Sequence, residues 1–324
     1  MEFLKIQDEI SYSAKRYKLK REIEDIFIRE GYIQIEPSIF EDYDNFTSVN
    51  KRIKKESTVK ILNGNGNVQI LRPDITMNII KSVVPRWEND LKLKLFYNST
   101  IYKNKRNSNS KELRQMGVEY LGEVSLQADR EIILLALNIL KKYNNHFILE
   151  LGSSKYIDSF LRKINLKENV EEELKNLIYK KNKYELTNYI KNLDLKKEIN
   201  ELLSNLLDFQ GTIEEVIKKA NCYFMNDEMK KTIKELKDLN DFVEKYGCSK
   251  NIHFDLSMIT ELGYYEGIIF KGYYPNSYRE IISGGRYDSL TEDFGRKISA
   301  IGFSIDLDEI MKAFYRDGEK NWIL

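Results

Sequence analysis

Cysteine, histidine and proline are scarce in this chain, and each shortage closes off a class of protein. The two cysteines, Cys222 and Cys248, show no C-x-x-C spacing, which argues against a disulfide framework and a cysteine zinc site and leaves buried or idle thiols. The two histidines, His146 and His253, share no motif, so neither a metal site nor a histidine-dependent triad is expected. Long apolar runs are also missing. The longest, "IILLALNIL" (132–140), is too short to cross a bilayer, and "MEFLKIQDEI" carries acids where a signal peptide needs a basic region. A cytoplasmic protein without a membrane partner is expected. Net charge is absent as well: 52 Lys and Arg face 51 Asp and Glu, so nothing global argues for a polyanion such as tRNA.

What remains is a folded chain of 324 residues, 42% hydrophobic and 32% charged, with 21 tyrosines and room for one large domain or two. Leu19, Ile23, Ile26 and Phe27 recur at helical spacing and Gly31 is placed to end that helix. A strand is expected in "YIQIEPSIFE", and "STVKILNGNGNVQILRPD" reads as a hairpin about a Gly-Asn turn. The G-x-G in that turn lacks the third glycine and the following helix of a dinucleotide fingerprint. A short helix, "DITMNIIKSVV", precedes the strand "KLKLFYNSTIY", a polar loop "KNKRNSNSKE" and a second strand "LRQMGVEYLGE". The helix "ADREIILLALNILKKY" and the strand "NHFILELG" follow. Residues 154–248, rich in Lys, Leu, Asn and Glu and without proline, read as a helical insertion domain. Strands return from "KNIHFDLSMI" onward and end in "ISAIGFSIDLDEIMKAFY", a strand running into a helix. Strand-rich segments 1–153 and 249–324 around a helical block imply an α+β architecture: one discontinuous domain with an antiparallel sheet flanked by helices.

Polar residues concentrate in three runs that otherwise read as core: "LRPDIT" (71–76), "RQMGVE" (114–119) and "LGYYEG" (262–267). In the second, Gln115, Gly117 and Glu119 share one face of a strand and Met116 and Val118 the other. That face is either a solvated surface or, pointing inward, a set of groups that need partners. In the inward case Asp74, Gln115 and Glu119 surround an ammonium or imidazole, and the Tyr264 and Tyr265 hydroxyls add donors and acceptors. The glycine pair in "SGGRYDSL" (283–290) is not the phosphate loop of a nucleoside triphosphatase.

The runs "LRPDITMNII", "RQMGVEYLGE", "FDLSMITELGYYEGIIFKGYY" and "ISGGRYDSL", followed by "FGRKISAIGFSIDLDEI", resemble in order the signatures of the histidyl-tRNA synthetase catalytic domain, a class II aminoacyl-tRNA synthetase fold. The resemblance covers about residues 10–315 apart from the helical block. It implies a six- or seven-stranded antiparallel sheet, dimerisation through the first helix and strand, and a histidine pocket lined by Asp74, Thr76, Gln115, Glu119, Tyr264 and Tyr265. At Asp74 the synthetases usually have glutamate.

The departures point away from catalysis. Against the family pattern, Tyr102 and Thr260 stand where arginines are expected, and "FSIDLDEI" supplies Asp306 and Glu309 where the last motif ends in arginine. Losing one donor to the developing phosphate charge costs roughly 3 to 4 kcal/mol, so adenylation should be negligible. The chain also stops about fifteen residues after the last motif, so no anticodon-binding domain is expected. This combination resembles the ATP phosphoribosyltransferase regulatory subunits. That resemblance implies a non-catalytic homodimeric subunit, without cofactor or tRNA, that pairs with a short-form catalytic subunit in histidine biosynthesis and binds free histidine as feedback signal. Two other readings stand: a degenerate synthetase that still forms histidyl adenylate, and an amino-acid-binding scaffold for an unrelated partner.

Overall fold

The structure is a computed structural model describing residues 5–49, 53, 55–105, 108–260, 264–275 and 277–316. In chain order these form α1 (Ile6–Arg29), β1 (Ile33–Gln34), β2 (Phe40–Asp42), α2 (Tyr43–Val49), β3 (Val59–Leu62), β4 (Val68–Leu71), α3 (Thr76–Val83), β5 (Leu93–Lys105) and β6 (Ser108–Leu121). Then come α4 (Leu126–Tyr143), β7 (Ile148–Ser153), α5 (Ser154–Ile164), α6 (Glu168–Tyr179), α7 (Lys183–Lys191), α8 (Lys197–Asn205), β8 (Gln210–Gly211), α9 (Ile213–Ala220) and α10 (Asp227–Glu244). The last elements are β9 (Ile252–Asp255), β10 (Ile268–Tyr273), β11 (Ile282–Arg286), α11 (Asp288–Glu292), β12 (Ala300–Asp306) and α12 (Leu307–Arg316).

The chain divides into two compact units. One comprises Met1–Glu123, Tyr273–Ile282 and Thr291–Leu324, the other Val124–Gly272 and Ser283–Leu290.

In the first unit strands run in the order β1-β5-β6-β12, with β2-β4-β3 as a small separate sheet. β1 lies parallel to β5, whereas β5·β6 and β6·β12 are antiparallel. Leu19, Ile23 and Phe27 are the buried stripe of α1, and Phe27 packs against Phe96 and Phe303 with ring centroids 5.6 and 6.3 Å apart. Gly31, at φ 83°, lets the chain turn after α1 so that the Tyr32 amide reaches the Phe27 carbonyl at 3.0 Å. The strand expected across 32–41 is broken into β1 and β2, because Pro37 between them has no amide to donate. The hairpin forms as expected, β3 pairing with β4 about the Asn63–Gly66 turn. The loop expected at 103–112 is a correction: β5 and β6 pair out to Lys105 and Ser108, and its tip, 106–107, lies outside the described residues. Backbone pairing across a long ribbon outweighs the low strand propensity of Asn, Lys and Ser.

In the second unit the strand order is β11-β10-β7-β9-β8, with β7 parallel and β8 antiparallel to β9. The block 154–248 carries α5 to α10 and, as its sole strand among the described residues, the two-residue β8. Asn182, Thr212 and Asn226 cap α7, α9 and α10 through their side chains. Thr212 forms a full capping box with Glu215. The buried centre of the unit holds one fully engaged ion pair. Arg286 Nε and Nη2 donate to the two Asp129 oxygens at 3.0 and 2.8 Å, tying β11 to α4, with Asp129 only 2% exposed. Cys222 is exposed, Cys248 buried, and both are free thiols.

No helix among the described residues is long and apolar enough to cross a membrane. Replacing Asp129 by Ala should destabilise the chain by roughly 3 kcal/mol, because it leaves a buried guanidinium with Asp288 at 3.4 Å as its remaining carboxylate. Replacing the pair together, Asp129→Leu with Arg286→Met, should cost much less. Urea unfolding of both variants checks this, and equal losses would contradict the ion-pair account.

Candidate functional site

In the first unit the candidate residues sit on a three-strand row. Along β6, Gln115, Gly117 and Glu119 face Ser99, Tyr97 and Leu95 of β5 on one side and Asp306, Ser304 and Gly302 of β12 on the other. Directly paired residues of antiparallel strands share a face, so this is one polar face bounded by an aromatic. Glu119 is 1% exposed, which decides between the two readings of this face: it points inward. Thr76, at the start of α3, donates from Oγ1 to Glu119 Oε1 at 2.6 Å. Two glycines make the space. A Cβ at Gly302 would meet Glu119 Oε2 and the Val118 carbonyl, and one at Gly117 would meet the Tyr97 hydroxyl.

Asp74 lies two residues before α3 and accepts the Met77 amide on Oδ1 at 2.7 Å, acting as a side-chain cap for that helix. Burial raises its pKa above the ordinary aspartate value, against the opposing pull of the Met77 amide and of Lys103. Glu41 is raised in the same way by burial, offset by Lys81 at 3.6 Å and reinforced by the charge of Asp74. Arg72 does not neutralise either carboxylate by direct contact in the bonds described. It donates to the backbone carbonyls of Thr100 (2.8 Å), Pro37 (2.5 Å) and Ser38 (3.3 Å).

Tyr102 is on β5 opposite Glu112, its amide bonded to the Arg72 carbonyl at 3.0 Å. Asp306 closes β12 and accepts the Asp308 and Glu309 amides on Oδ1 at 3.0 Å each, so its carboxylate fills the N-terminus of α12. Burial is the main cause that raises Asp306 above the ordinary range. Glu309 is buried and pairs with Lys312 at 2.6 Å, while Arg114 approaches Asp308 at 3.6 Å.

In the second unit the Tyr264 and Tyr265 rings lie 4.7 Å apart between centroids, tilted by 44°, and Tyr264 meets Tyr287 edge-on at 6.0 Å. Tyr264 is buried and Tyr265 half-exposed. The Tyr265 ring lies over Gly285, where a Cβ would come within 2.6 Å of its Cδ1. The Ser289 hydroxyl donates to the Tyr264 carbonyl at 3.3 Å and the Glu266 amide to the Arg286 carbonyl at 2.8 Å, so the tyrosines hang from β11. Thr260 belongs to this unit and lies after β9; residues 261–263 of its motif lie outside the described residues.

The structure thus joins Thr76 and Glu119 directly, puts Gln115 on their face and pairs Tyr264 with Tyr265. Tyr97, Ser304 and Gly302 were missed in the sequence, because only the register of β5 and β12 on β6 brings them beside Gly117 and Glu119. Among the described residues no cluster of His, Cys, Asp and Glu could hold a metal ion.

A fold of this kind, with an acidic inward strand face and a tyrosine pair, defines a class II synthetase-like protein. The chain belongs to the histidyl-tRNA synthetase family, whose model matches residues 9–310, and within it to the ATP phosphoribosyltransferase regulatory subunits. The protein of that name from Clostridium acetobutylicum is 35% identical over 305 residues, 91% of this chain and 75% of the relative. A solved ATP phosphoribosyltransferase regulatory subunit/histidyl-tRNA synthetase from Bacillus halodurans superposes with a TM-score of 0.84 at 28% identity, over 93% of this chain and 79% of that one. A chain of the ATP phosphoribosyl transferase complex from Thermotoga maritima shares the fold, with a TM-score of 0.69 at 18% identity over 90% of this chain and 97% of that one.

Asp74→Asn tests the electrostatics of the site. Asparagine keeps the cap on Met77 but removes the buried charge. Because the folded-state value of Asp74 is raised, its contribution to stability is complete below the unfolded value and is lost as pH rises through the folded one. The variant should therefore gain on the wild type as pH rises from below about 4 toward neutrality, and level off above that window. Urea midpoints across that range measure the difference; a constant offset would contradict the burial argument.

Proposed function

We propose that the chain is a non-catalytic regulatory subunit of ATP phosphoribosyltransferase. It supports full activity of a short-form catalytic subunit and conveys feedback by free histidine. Its relatives bear the regulatory-subunit name, and a chain of the same fold occurs in a solved transferase complex. The homodimer expected through the first helix and strand, the absence of tRNA from its partners, a cytoplasmic location and the role of 154–248 as an insertion domain are parts of the same reading.

The observation that carries it is the N-terminus of α12. A helix N-terminus attracts anions, but here the Asp306 carboxylate occupies the amides and Glu309 adds a second acid. An enzyme that forms an adenylate must neutralise phosphate charge as it develops. Carboxylates at that place repel a triphosphate instead. With Tyr102 and Thr260 at the other two expected arginine positions, activation of histidine by ATP is not the chemistry this chain favours.

Recognition of a cation is. In this reading Asp74 takes the ligand's amino group, and Glu119 and Gln115 its ring or polar groups with Thr76 holding Glu119; Tyr264 and Tyr265 of the second unit are read as ligand-facing in their own right. A cation beside Asp74 favours its charged form and so opposes the upward shift that burial causes. Feedback then requires that histidine bind an inhibited arrangement of the complex more tightly than an active one.

The test is phosphoribosyl transfer by the catalytic subunit, with and without this chain, across a histidine titration. The chain should raise the rate and histidine should suppress it. Glu119→Gln, which removes a charge-assisted bond worth about 1.5 to 3 kcal/mol, should raise the half-inhibitory histidine concentration by about tenfold or more without preventing assembly. Unchanged inhibition would remove the pocket from the mechanism. Pyrophosphate exchange dependent on histidine and ATP would instead support a residual synthetase.

A further inference from the structure

The connection from β9 to the tyrosine pair is held to the helical block at both of its described ends. At the β9 end, Lys181 Nζ donates to Asp255 Oδ2 at 2.6 Å and to the carbonyl and hydroxyl of Ser257 at 3.2 and 2.5 Å. Asp255 Oδ1 accepts the Ser257 amide and hydroxyl at 2.8 and 2.6 Å. Asp255 and Ser257 are 3% and 0% exposed, so the lysine is the cation that a buried carboxylate needs. The same stretch is gripped by backbone bonds: β8 pairs with β9 so that Gln210 faces Asp255, and the Leu256 amide donates to the Phe209 carbonyl at 3.0 Å.

Lys181 stands at φ 54°, just past the end of α6, in the left-handed conformation that glycine or asparagine normally supplies there. Backbone preference therefore does not account for a lysine at this position. Its side chain does, through Asp255 and Ser257.

At the tyrosine end the partner is Ser154, the first residue of α5 and of the helical block. Its hydroxyl donates to the Tyr265 carbonyl at 2.9 Å and accepts the Gly267 amide at 3.1 Å. Its own amide, one of the first-turn donors a helix leaves without an internal partner, reaches the Gly267 carbonyl at 2.9 Å. Gly267 at φ 150° permits that approach. Two side chains of the helical block thus fix residues 255–257 and 265–267, all inside one compact unit.

We propose that Lys181 and Ser154 are positioning residues for a cationic amino-acid ligand at Tyr264 and Tyr265, and that through them the helical block reports on occupancy of that site. The proposal rests on the reading of the tyrosines as ligand-facing given above. Any displacement of the tyrosine segment on binding is passed to α5 and to the α6–α7 turn, and the reverse by reciprocity.

The test uses the full chain with Lys181→Met, Lys181→Gly and Ser154→Ala, and L-histidine as the probe in calorimetric titration. Lys181→Gly removes the tie but relieves the left-handed backbone, so it separates the side chain from the strain. Each variant should bind histidine roughly 3- to 30-fold more weakly, and the amides of Glu266 and Gly267 should exchange hydrogen faster, also in the Lys181 variants where no bond to those residues has been removed. Lys181→Arg should restore most of the affinity. Unchanged affinity in variants of a wild type that binds histidine overturns the positioning role and leaves the tyrosine reading intact. A wild type that binds no histidine overturns that reading, and this proposal with it. Should a Lys181 variant fail to fold, Ser154→Ala decides alone, since it removes hydrogen bonds and no charge.

Discussion

The buried pair of Arg286 and Asp129 is the constraint on which the second unit depends. A guanidinium and a carboxylate without solvent contact must meet in good geometry, since neither could otherwise bear the loss of water. The bidentate contact provides this and so fixes where β11 lies relative to α4. Part of what holds the tyrosine pair is then referred to β11 and the residue that follows it. Glu266 bonds the Arg286 carbonyl, Gly267 packs on the Arg286 side chain, Tyr264 meets Tyr287, and Tyr265 fits over Gly285. The motif "SGGRYD" is therefore a mounting for a neighbouring segment and not a phosphate loop, which explains Gly285 by close packing under a ring.

Much of this was legible in the sequence because the signals were local. The alternation of Gln115, Gly117 and Glu119 put three side chains on one strand face, and the burial of Glu119 settled which way that face points. The apolar stripe of α1 and the Gly-Asn hairpin are set by neighbours a few residues away and were found at once. Long-range facts were not. That Gly302 of β12 leaves room for Glu119 depends on a register between strands nearly two hundred residues apart, and no local pattern encodes it. The break at Pro37 was legible in principle and overruled by the surrounding β-branched residues. The strand character of the polar ribbon near 103–112 was hidden because pairing and not propensity maintains it. Lys181 was likewise silent: in sequence it is one lysine in a lysine-rich turn, and only φ and the distance to Asp255 distinguish it.

The first unit carries an electrostatic cost that the proposed cationic ligand would offset. Burial makes Asp74 and Glu41 weaker acids than usual, and the cationic side chains near them compensate incompletely. Natural proteins keep such destabilised groups at sites where something binds. An amine is the simplest remedy, since it would favour the charged form of Asp74 at the moment of binding and return the energy that burial withholds. A neutral or anionic occupant would leave the cost in place.

The same reasoning separates recognition from catalysis. Holding a cationic amino acid needs acids on a rigid face, and the β5-β6-β12 row supplies them with little more than Thr76 and two glycines. Activating it with ATP needs positive charge aimed at phosphate, and that requirement falls on other residues. At the start of α12 the change has gone past the loss of an arginine. Asp306 satisfies the helix amides, so an anion arriving there would have to displace a carboxylate already bonded twice. Restoring arginine at the Glu309 position alone would not recreate a phosphate site, because the amides would still be occupied and Asp306 would pair with the new cation. Recovery would need both positions changed together.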